Sequence, residues 1–476
     1  MEGKKSYRNL LKNVMLFGIG SFGTKILSFV LVPLYTNELT TAEYGTCDLI
    51  TTTANLLYPL CTLSIASGVM RFTLDNDGRQ SLKIGYYISI IGNIIATFVL
   101  VCLSVAGWLP ESLSHYWWII GICFTSSFYQ LYQCYIRGID KAKIMVESGL
   151  LSSIIGLTSN VVLLRFLHLG STGYLVSAIL GTVVSCLYMD LRCRISSVVI
   201  ETIEIEKDYI RRLLAYSIPS IFITIAWWIN SSLDKYFVTG LLGVDQNGIY
   251  SIAYKIPTIL NVFQTIFMQA WAVSAVQEFD RDDSNGFFTN IYTMFSLSMV
   301  FICSVIILLN EPLSRILYAA EFYEAWKYVP LLLLSSLFGA MAGYYGSIFS
   351  AVKDQRITAY STVASAAVNA ILNAVLIPRF QVTGAAMATA ISYFVSWIIR
   401  YFFSRKYICL KINTIRSMLM YFLLLSQAVV AMREDHGYLY QIIILLLIVI
   451  VKWEDIGRIV HYLTIKIRNR EANNNE

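Results

Sequence analysis

Long apolar stretches alternate with short polar segments along the whole chain. An α-helix needs about 20 apolar residues to cross a ~30 Å hydrocarbon core, and most of these stretches reach that length. The sequence therefore predicts an all-α polytopic membrane protein with fourteen membrane-spanning segments. The segments cover residues 14–36, 44–70, 84–107, 116–136, 147–168, 172–191, 213–240, 248–275, 287–309, 328–350, 357–377, 383–403, 416–432 and 437–453.

The composition supports a membrane protein and argues against other classes. The 476 residues are 57% hydrophobic and 14% charged, whereas soluble domains are about half apolar and a quarter charged. The net charge of +6 does not indicate a nucleic-acid partner, because the basic residues lie in short loops and termini. The nine cysteines form no Cys-x-x-Cys pair and the four histidines are scattered, so we expect no metal and no cofactor.

Lysine and arginine are unevenly distributed over the loops. The N-terminus and every second loop after it hold 28 basic residues, and the intervening loops hold 5. Cytoplasmic loops of membrane proteins carry such an excess of positive charge. We therefore expect a multi-pass protein of the cytoplasmic (inner) cell membrane with both termini in the cytoplasm.

Two pairs of similar motifs indicate an internal duplication. Residues 39–50 read LTTAEYGTCDLI and residues 242–254 read LGVDQNGIYSIAY, and aligning Gly45 with Gly248 gives an offset of 203 residues. Residues 160–173 and 373–384 both run from an asparagine through an aliphatic stretch to Arg-Phe and then Thr-Gly. Coincidental similarity is the alternative, because each motif is short. Six spans separate the copies, so both enter the membrane in the same direction, as in two-lobed transporters.

The duplication predicts two pseudo-symmetric six-helix lobes around a central cavity. The lobes cover residues 1–195 and 213–410, with a cytoplasmic linker at 196–212. Two extra transmembrane helices follow within 411–453, and 454–476 form a cytoplasmic tail. The substrate site of such transporters lies between the repeats. We expect a monomer.

Lys25 lies in the middle of the first apolar segment. It is about 11 residues from either end, which places it ~16 Å deep at ~1.5 Å per residue. An ammonium at that depth costs ~2.5–3.5 kcal/mol, so we expect it to face a polar cavity or a counter-charge. Two interpretations stay open: a structural ion pair between packed helices, or a cation that binds an anionic substrate.

Three stretches carry a resemblance to a known family. They read TKILSFVLVPLYTNELTTAEYGTCDLI (24–50), SSLDKYFVTGLLGVDQNGIYSIAYKI (231–256) and TGAAMATAISY (383–393). On these residues the chain resembles the Wzx-type polysaccharide flippases of the multidrug/oligosaccharidyl-lipid/polysaccharide exporter superfamily. The resemblance implies two six-helix bundles plus two C-terminal spans. It also implies flipping of an undecaprenyl-diphosphate-linked oligosaccharide from the cytoplasmic to the outer leaflet by alternating access.

The resemblance has further consequences for partners and energetics. It implies a role in cell-surface polysaccharide biosynthesis, with O-antigen, capsule or exopolysaccharide as the product. Membrane lipids and other polysaccharide-assembly membrane proteins are the implied partners. Some members of the family are thought to couple transport to a proton or sodium gradient.

Six residues are candidates for contacting such a substrate. A diphosphate crosses hydrocarbon only through a polar cavity with fixed cations, and lysine suits phosphate as a point charge. The candidates are Lys25, Lys235 and Lys255 within spans, Arg71 at the cytoplasmic end of span two, and Asn230 and Trp227 in span seven. Arg71 is alternatively an interfacial anchor, and Trp227 alternatively packs against lipid or core instead of stacking on a sugar.

Asp48 and Asp234 are the candidates for ion coupling. Asp48 lies about one turn inside span two, and Asp234 lies about two turns inside span seven. Asn230 and Asp234 are four residues apart and share a helix face. Because Asp234 and Lys235 point about 100° apart, we predict that Asp234 pairs with Lys255, with a coupling-ion role as the open alternative.

Prolines within spans predict bending. Pro33, Pro59, Pro219 and Pro257 each remove a backbone donor from a helix. We predict that Pro219 or Pro257 is a hinge between inward-facing and outward-facing states.

The sequence does not favour an enzyme. A polysaccharide polymerase usually needs a sizeable external loop, and the longest external loop here, 310–327, has under twenty residues. A MATE-like cation-coupled small-molecule exporter of the same superfamily is an alternative, although cationic substrates favour acids over lysine at mid-depth. A purely structural scaffold would need neither Lys25 nor the duplicated lobes.

Overall fold

The structure is a computed structural model, and it describes residues 23–75, 78–108, 115–202, 206–433 and 437–451. Within these ranges all regular secondary structure is helical, which confirms the predicted all-α class. The helices are α1 (23–30), α2 (Val32–Glu38), α3 (Thr41–Cys61), α4 (Ile65–Asp75), α5 (Gly78–Val105), α6 (Tyr116–Gly138), α7 (Ala142–Asn160), α8 (Gly170–Cys193), α9 (Ile195–Ile200), α10 (Lys207–Leu242), α11 (Val244–Ala253), α12 (Pro257–Gln277), α13 (Phe287–Leu308), α14 (Asn310–Leu317), α15 (Val329–Ala351), α16 (Arg356–Ser404), α17 (Thr414–Ala431) and α18 (Tyr438–Val451). A π-helix (Val161–Phe166) continues α7, and a 3₁₀ helix (Ala320–Lys327) follows α14.

The helices agree with the predicted spans wherever the chain is described. Every predicted segment from the second onward coincides with one or two helices. Nine helices in the described ranges are long and apolar enough to cross a membrane, or ten if α3 and α4 form one bent span. The first segment is described only from residue 23, and the predicted tail at 454–476 lies outside the described residues. The total of fourteen spans therefore stays a prediction.

Breaks interrupt two of the predicted spans, and a third break separates two spans from each other. Span two bends by 56° between α3 and α4, where Leu63 and Ser64, four and five residues after Pro59, have φ of 53° and 50°. Span eight is interrupted at 254–256, and Pro257 begins α12. Within α16, Gln381 has φ 52° and ψ −136°, so this helix comprises the two predicted spans 357–377 and 383–403.

The chain divides into two compact units. The first comprises Met1–Ile252 and Leu317–Phe322. In one core cluster, buried residues such as Val69, Leu82 and Leu131 pack together from helices α4, α5, α6, α8, α9 and α10. A second cluster joins α3, α5, α6 and α8 around Ile50 and Ile119.

The second unit comprises Ala253–Ile316 and Tyr323–Glu476. Its core is rich in aromatic side chains from α12, α13, α15, α16 and α17. Trp271 is 2% exposed and stacks on Tyr344 with 4.5 Å between ring centroids. Phe267 stacks on Phe295 at 3.9 Å. Trp271 is thus a core residue.

The predicted linker at 196–212 is partly helical, since it contains most of α9 and the start of α10. The first unit includes α9, α10 and all of α11 except Ala253. The predicted lobe limits at 195 and 213 stay a prediction.

Candidate functional site

The helices that carry the two similar motifs around Gly45 and Gly248 cross each other within the first unit. A Cβ atom on Gly45 of α3 would overlap the carbonyl oxygen of Val244, and one on Gly248 of α11 would overlap the carbonyl oxygen of Thr41. Thr41 and Val244 are related by the same 203-residue offset as the two glycines. Each glycine therefore lies against the start of the other copy's helix, an approach that a side chain would block.

Local polar groups hold this crossing in place. Thr40 caps α3: its hydroxyl accepts from the Glu43 N–H at 3.2 Å, and the Glu43 carboxylate accepts from the Thr40 N–H at 3.0 Å. The Asn247 side-chain amide donates to the Gly45 carbonyl at 3.1 Å. The Thr41 hydroxyl donates to the Asp245 carboxylate at 3.3 Å. These bonds fix the position of α11 on α3.

Asp48 and Lys235 form an ion pair next to the crossing. The Lys235 ammonium lies 2.9 Å from the Asp48 carboxylate, and each side chain is 15% exposed. The Ser251 hydroxyl donates to the same carboxylate at 2.8 Å. The site therefore joins α3, α10 and α11. A partly desolvated, charge-assisted pair of this kind is stronger than an exposed one, yet it is still reversible.

Asp234 lies on the same part of α10 and is 1% exposed. Its carboxylate accepts a hydrogen bond from the Tyr250 hydroxyl of α11 at 2.5 Å and one from the Lys235 N–H at 3.0 Å. Asn230, one turn earlier on α10, is also buried. The pairing of Asp234 with Lys255 stays a prediction.

Aromatic residues extend the contact between α3 and α10. The Trp228 indole donates to the Thr52 carbonyl at 3.1 Å, and the Tyr236 hydroxyl lies 2.5 Å from that of Thr53. The Trp228 and Tyr236 rings are 5.3 Å apart. Trp227 instead is 58% exposed. Of the tryptophan pair, Trp228 therefore packs inside the first unit.

The structure brings together Asp48, Asp234 and Lys235 from the predicted set. Lys25 is half-buried on α1, Arg71 is exposed on α4, and Lys255 is half-buried at the break before α12. The roles of all these residues in binding or coupling stay predictions. Within the described ranges, no group of three or more His, Cys, Asp or Glu side chains is arranged to hold a metal ion.

Ser251, Tyr250 and Arg400 make contacts that were not predicted from the sequence. Ser251 and Tyr250 were not singled out, although the 203-residue offset aligns Ser251 with Asp48. Arg400 is one of the 28 basic residues that the sequence assigns to the N-terminus and the cytoplasmic loops, but it lies within α16 and is 6% exposed. Its guanidinium donates to the Ser361 hydroxyl at 2.8 Å, the Ala342 carbonyl at 2.9 Å and the Thr362 hydroxyl at 3.0 Å. Its position inside the predicted span 383–403 could have shown from the sequence that Arg400 is not a loop residue.

The family model for polysaccharide biosynthesis proteins matches residues 10–272, which is more than half of the 476-residue chain. The chain belongs to the polysaccharide biosynthesis protein family. One relative, 25% identical over 206 residues, is the probable low-salt glycan biosynthesis flippase Agl15 of Haloferax volcanii. That match covers 42% of this chain and 43% of the length of Agl15.

Solved structures share the fold of this polysaccharide biosynthesis protein. Lipid II flippase MurJ, in an inward closed conformation, has a TM-score of 0.69 at 14% identity, over 93% of this chain and 99% of MurJ. An outward-facing multidrug resistance MATE family transporter of the MOP superfamily has a TM-score of 0.58 at 12% identity, over 87% of this chain and 96% of its own. The predicted resemblance is confirmed at the level of the family and of the fold, and so is the multi-pass membrane character. Agl15, MurJ and the MATE protein are named as flippases or transporters.

Proposed function

We propose that the protein is a flippase that moves an oligosaccharide linked to undecaprenyl diphosphate from the cytoplasmic to the outer leaflet, for cell-surface polysaccharide biosynthesis. The observation that carries this proposal is the family match over residues 10–272. The relative Agl15, a probable glycan biosynthesis flippase, agrees with it. The protein would act in the cytoplasmic membrane with both termini in the cytoplasm, together with other polysaccharide-assembly membrane proteins.

Alternating access gives the Asp48–Lys235 pair a role in this proposal. The pair and the Ser251 bond tie together helices from the two sequence copies, at their predicted outer ends. Opening to the outside must separate these ends, so the pair has to break in each cycle. Lys235 is then available to the diphosphate, and Asp48 to a proton or sodium ion.

The remaining candidates complete the proposed site. Lys25 and Lys255 supply further positive charge for the diphosphate, and Arg71 meets the headgroup at the cytoplasmic side. Asn230 and Trp227 contact the glycan. Asp234 shares the coupling role with Asp48. If Asp234 and Lys255 form a pair, neutralising both will be milder than neutralising either one alone.

Reconstituted transport tests the function. Proteoliposomes receive a defined undecaprenyl-diphosphate-linked oligosaccharide in one leaflet, and its arrival in the other leaflet is measured. We expect transport by the wild type, loss in Lys25→Ala and wild-type rates in Lys143→Ala, whose lysine is 79% exposed and pairs with Glu147. Unchanged transport by Lys25→Ala would make Lys25 structural. An inactive wild type would overturn the proposal.

A MATE-like small-molecule exporter is the second candidate, because the fold is shared with an outward-facing MATE transporter at a TM-score of 0.58. Efflux of cationic dyes by the same proteoliposomes, without movement of the lipid-linked glycan, would favour it.

A further inference from the structure

One face of α10 combines two cations with an apolar groove. The open groove has a volume of about 520 Å³ and is lined by Lys207, Ile210, Arg211, Leu214, Ala215 and Ile218. We call it the α10 groove. No carboxylate is among these lining residues. The cations lie at the start of the helix, and the apolar residues follow.

Four of the lining residues, Lys207, Arg211, Ala215 and Ile218, are exposed on α10, whereas Ile210 and Leu214 are half-buried and pack against the core of the first unit. Leu213 and Ser217 are fully buried, and both approach Gly68 of α4. At about 100° per residue, Arg211, Ile218 and Phe222 lie on the opposite side of the helix from Leu213 and Ser217, and Lys207 lies on the flank next to Arg211. Phe222 is 72% exposed and continues the apolar face beyond the groove.

The two groove cations differ from their neighbour Arg212. The Arg212 guanidinium lies 3.3 Å from the Asp208 carboxylate and 5.8 Å from the centre of the Tyr209 ring. Lys207 and Arg211 are exposed, and no ion pair of either is found among the described residues. They also lie in the first turns of a 36-residue helix, whose N-terminus favours anions.

We propose that the α10 groove docks the diphosphate and the adjoining isoprenoid chain of the lipid-linked substrate, on its way into the transport path. This inference rests on the proposed function. Lys207 and Arg211 are four residues apart on one helix face, so together they fit two adjacent phosphates. Their predicted cytoplasmic position is the side from which the substrate would enter.

The length of the apolar face favours an isoprenoid over a phospholipid chain. The half-buried Ile225 and Ile229 continue the face that begins at Ala215. From Ala215 to Ile229 the helix rises ~21 Å, which exceeds the ~15 Å hydrocarbon depth of one leaflet. An ordinary acyl chain ends at the bilayer centre, whereas an undecaprenyl chain can follow the whole face.

Photocrosslinking of the full-length protein tests the site. A benzophenone amino acid replaces Phe222, and the protein is placed in zwitterionic nanodiscs with undecaprenyl diphosphate. We expect a crosslink to this lipid that excess phosphatidylglycerol or undecaprenol does not suppress. The same probe at Tyr216, which is 47% exposed and packs near Phe72 on another face, is the matched control. If excess phosphatidylglycerol suppressed the crosslink as strongly as excess unlabelled undecaprenyl diphosphate does, the proposal would be overturned in favour of a general anionic-lipid site.

Charge variants give an independent measurement. The affinity for undecaprenyl diphosphate should fall about tenfold or more in the double variant Lys207→Gln, Arg211→Gln. Arg212→Gln, which removes an already paired cation, should change it less than about twofold. Unchanged affinity in the double variant would overturn the inference.

Transport measured on the same preparations separates this inference from the proposed function. A wild type that flips the glycan lipid but gives no crosslink at position 222 would overturn the docking site alone. A wild type that crosslinks and does not flip would support the site and overturn the flippase.

Discussion

Asp48 and Ser251 occupy equivalent positions in the two sequence copies, and they bond to each other: 2.8 Å separates the Ser251 hydroxyl from the Asp48 carboxylate. The nearby backbone contacts of Gly45 and Gly248 are reciprocal under the same offset. Reciprocity of this kind characterises a contact around a two-fold axis. The duplicated motif therefore serves as a self-complementary contact, in which Lys235 adds a charge that only one copy supplies.

Alanine at either crossing glycine should destabilise the protein. The added methyl group meets a backbone carbonyl in both cases, so α3 and α11 must move apart. We expect Gly45→Ala and Gly248→Ala each to cost about 1–3 kcal/mol, seen as a lower unfolding temperature in detergent. Gly240→Ala is the control: nothing lies within 4 Å of its Cβ position, so alanine should be neutral or stabilising there. Equal behaviour of all three variants would contradict a tight crossing.

Asp48 and Lys235 should be energetically coupled. Asp48→Asn leaves a largely buried ammonium without its counter-charge, and Lys235→Gln does the reverse. We expect each to cost roughly 1–3 kcal/mol and the double variant to cost less than their sum. The exposed pair Lys143–Glu147, 3.6 Å apart, is the control and should show coupling of only about 0.3–0.5 kcal/mol. For each ion pair, the unfolding temperatures of the wild type, the two single variants and the double variant give the coupling energy. Additive losses in the Asp48–Lys235 variants would rule out the coupling.

The apolar pattern was enough to predict where most helices lie, whereas the breaks near Pro59 and Pro257 were indicated by the prolines alone. The segments 287–309 and 328–350 correspond closely to α13 and α15, because long apolar runs have only one stable form in a bilayer. The break between α3 and α4 depends on left-handed backbone at Leu63 and Ser64, residues with no preference for it. Tertiary packing imposes that conformation: α5 approaches so closely that a Cβ on Gly92 would overlap the Cys61 carbonyl.

The chemistry of the site was predicted by residue type more than by partner. Asp48, Asp234 and Lys235 were selected as charged groups within spans, and the structure gathers them. The bond between Asp48 and Lys235 was not foreseen, because hydropathy gives depth along a helix but not its rotation or its neighbour. The duplication could have predicted one contact of the site, because the offset that aligns Gly45 with Gly248 also aligns Asp48 with Ser251.

Arg400 should stabilise the second unit. Its buried guanidinium bonds to α15 through the Ala342 carbonyl and to the first half of α16 through Ser361 and Thr362. We expect Arg400→Met to cost about 2–4 kcal/mol, because two buried acceptors and one half-buried acceptor lose their donor. Arg400→Lys should recover only part, since an ammonium cannot span the same three acceptors.

The control for Arg400 is Arg379→Met, on the same helix and exposed, which should stay within about 0.5 kcal/mol of the wild type. Unfolding temperatures in detergent measure all three variants. A loss in Arg379→Met as large as that in Arg400→Met would mean that the loss reflects charge and not the buried bonds.

Asp354 should make the second unit sensitive to acid. It lies in the turn after α15, and its carboxylate accepts a hydrogen bond from the Tyr407 hydroxyl at 2.7 Å. That bond, the Arg356 N–H and the charges of Arg356 and Lys406 hold the pKa of Asp354 below its ordinary value. The ionised form is therefore favoured by folding. Its stabilisation is complete above the unfolded-state pKa of about 3.9 and is lost as the pH falls through the lower folded-state value.

Tyr407→Phe isolates this effect, because it removes the hydroxyl and keeps the ring. Its unfolding temperature should be lower than that of the wild type near neutral pH, and the gap should close as the pH is lowered below about 4. Tyr360→Phe, at a side chain that is 72% exposed, should match the wild type at every pH. The contribution of the Tyr407 hydroxyl depends on pH only through its hydrogen bond to the ionised Asp354. If the difference in unfolding temperature between Tyr407→Phe and the wild type stayed constant from neutral to acid pH, the hydroxyl would act through packing or a neutral hydrogen bond.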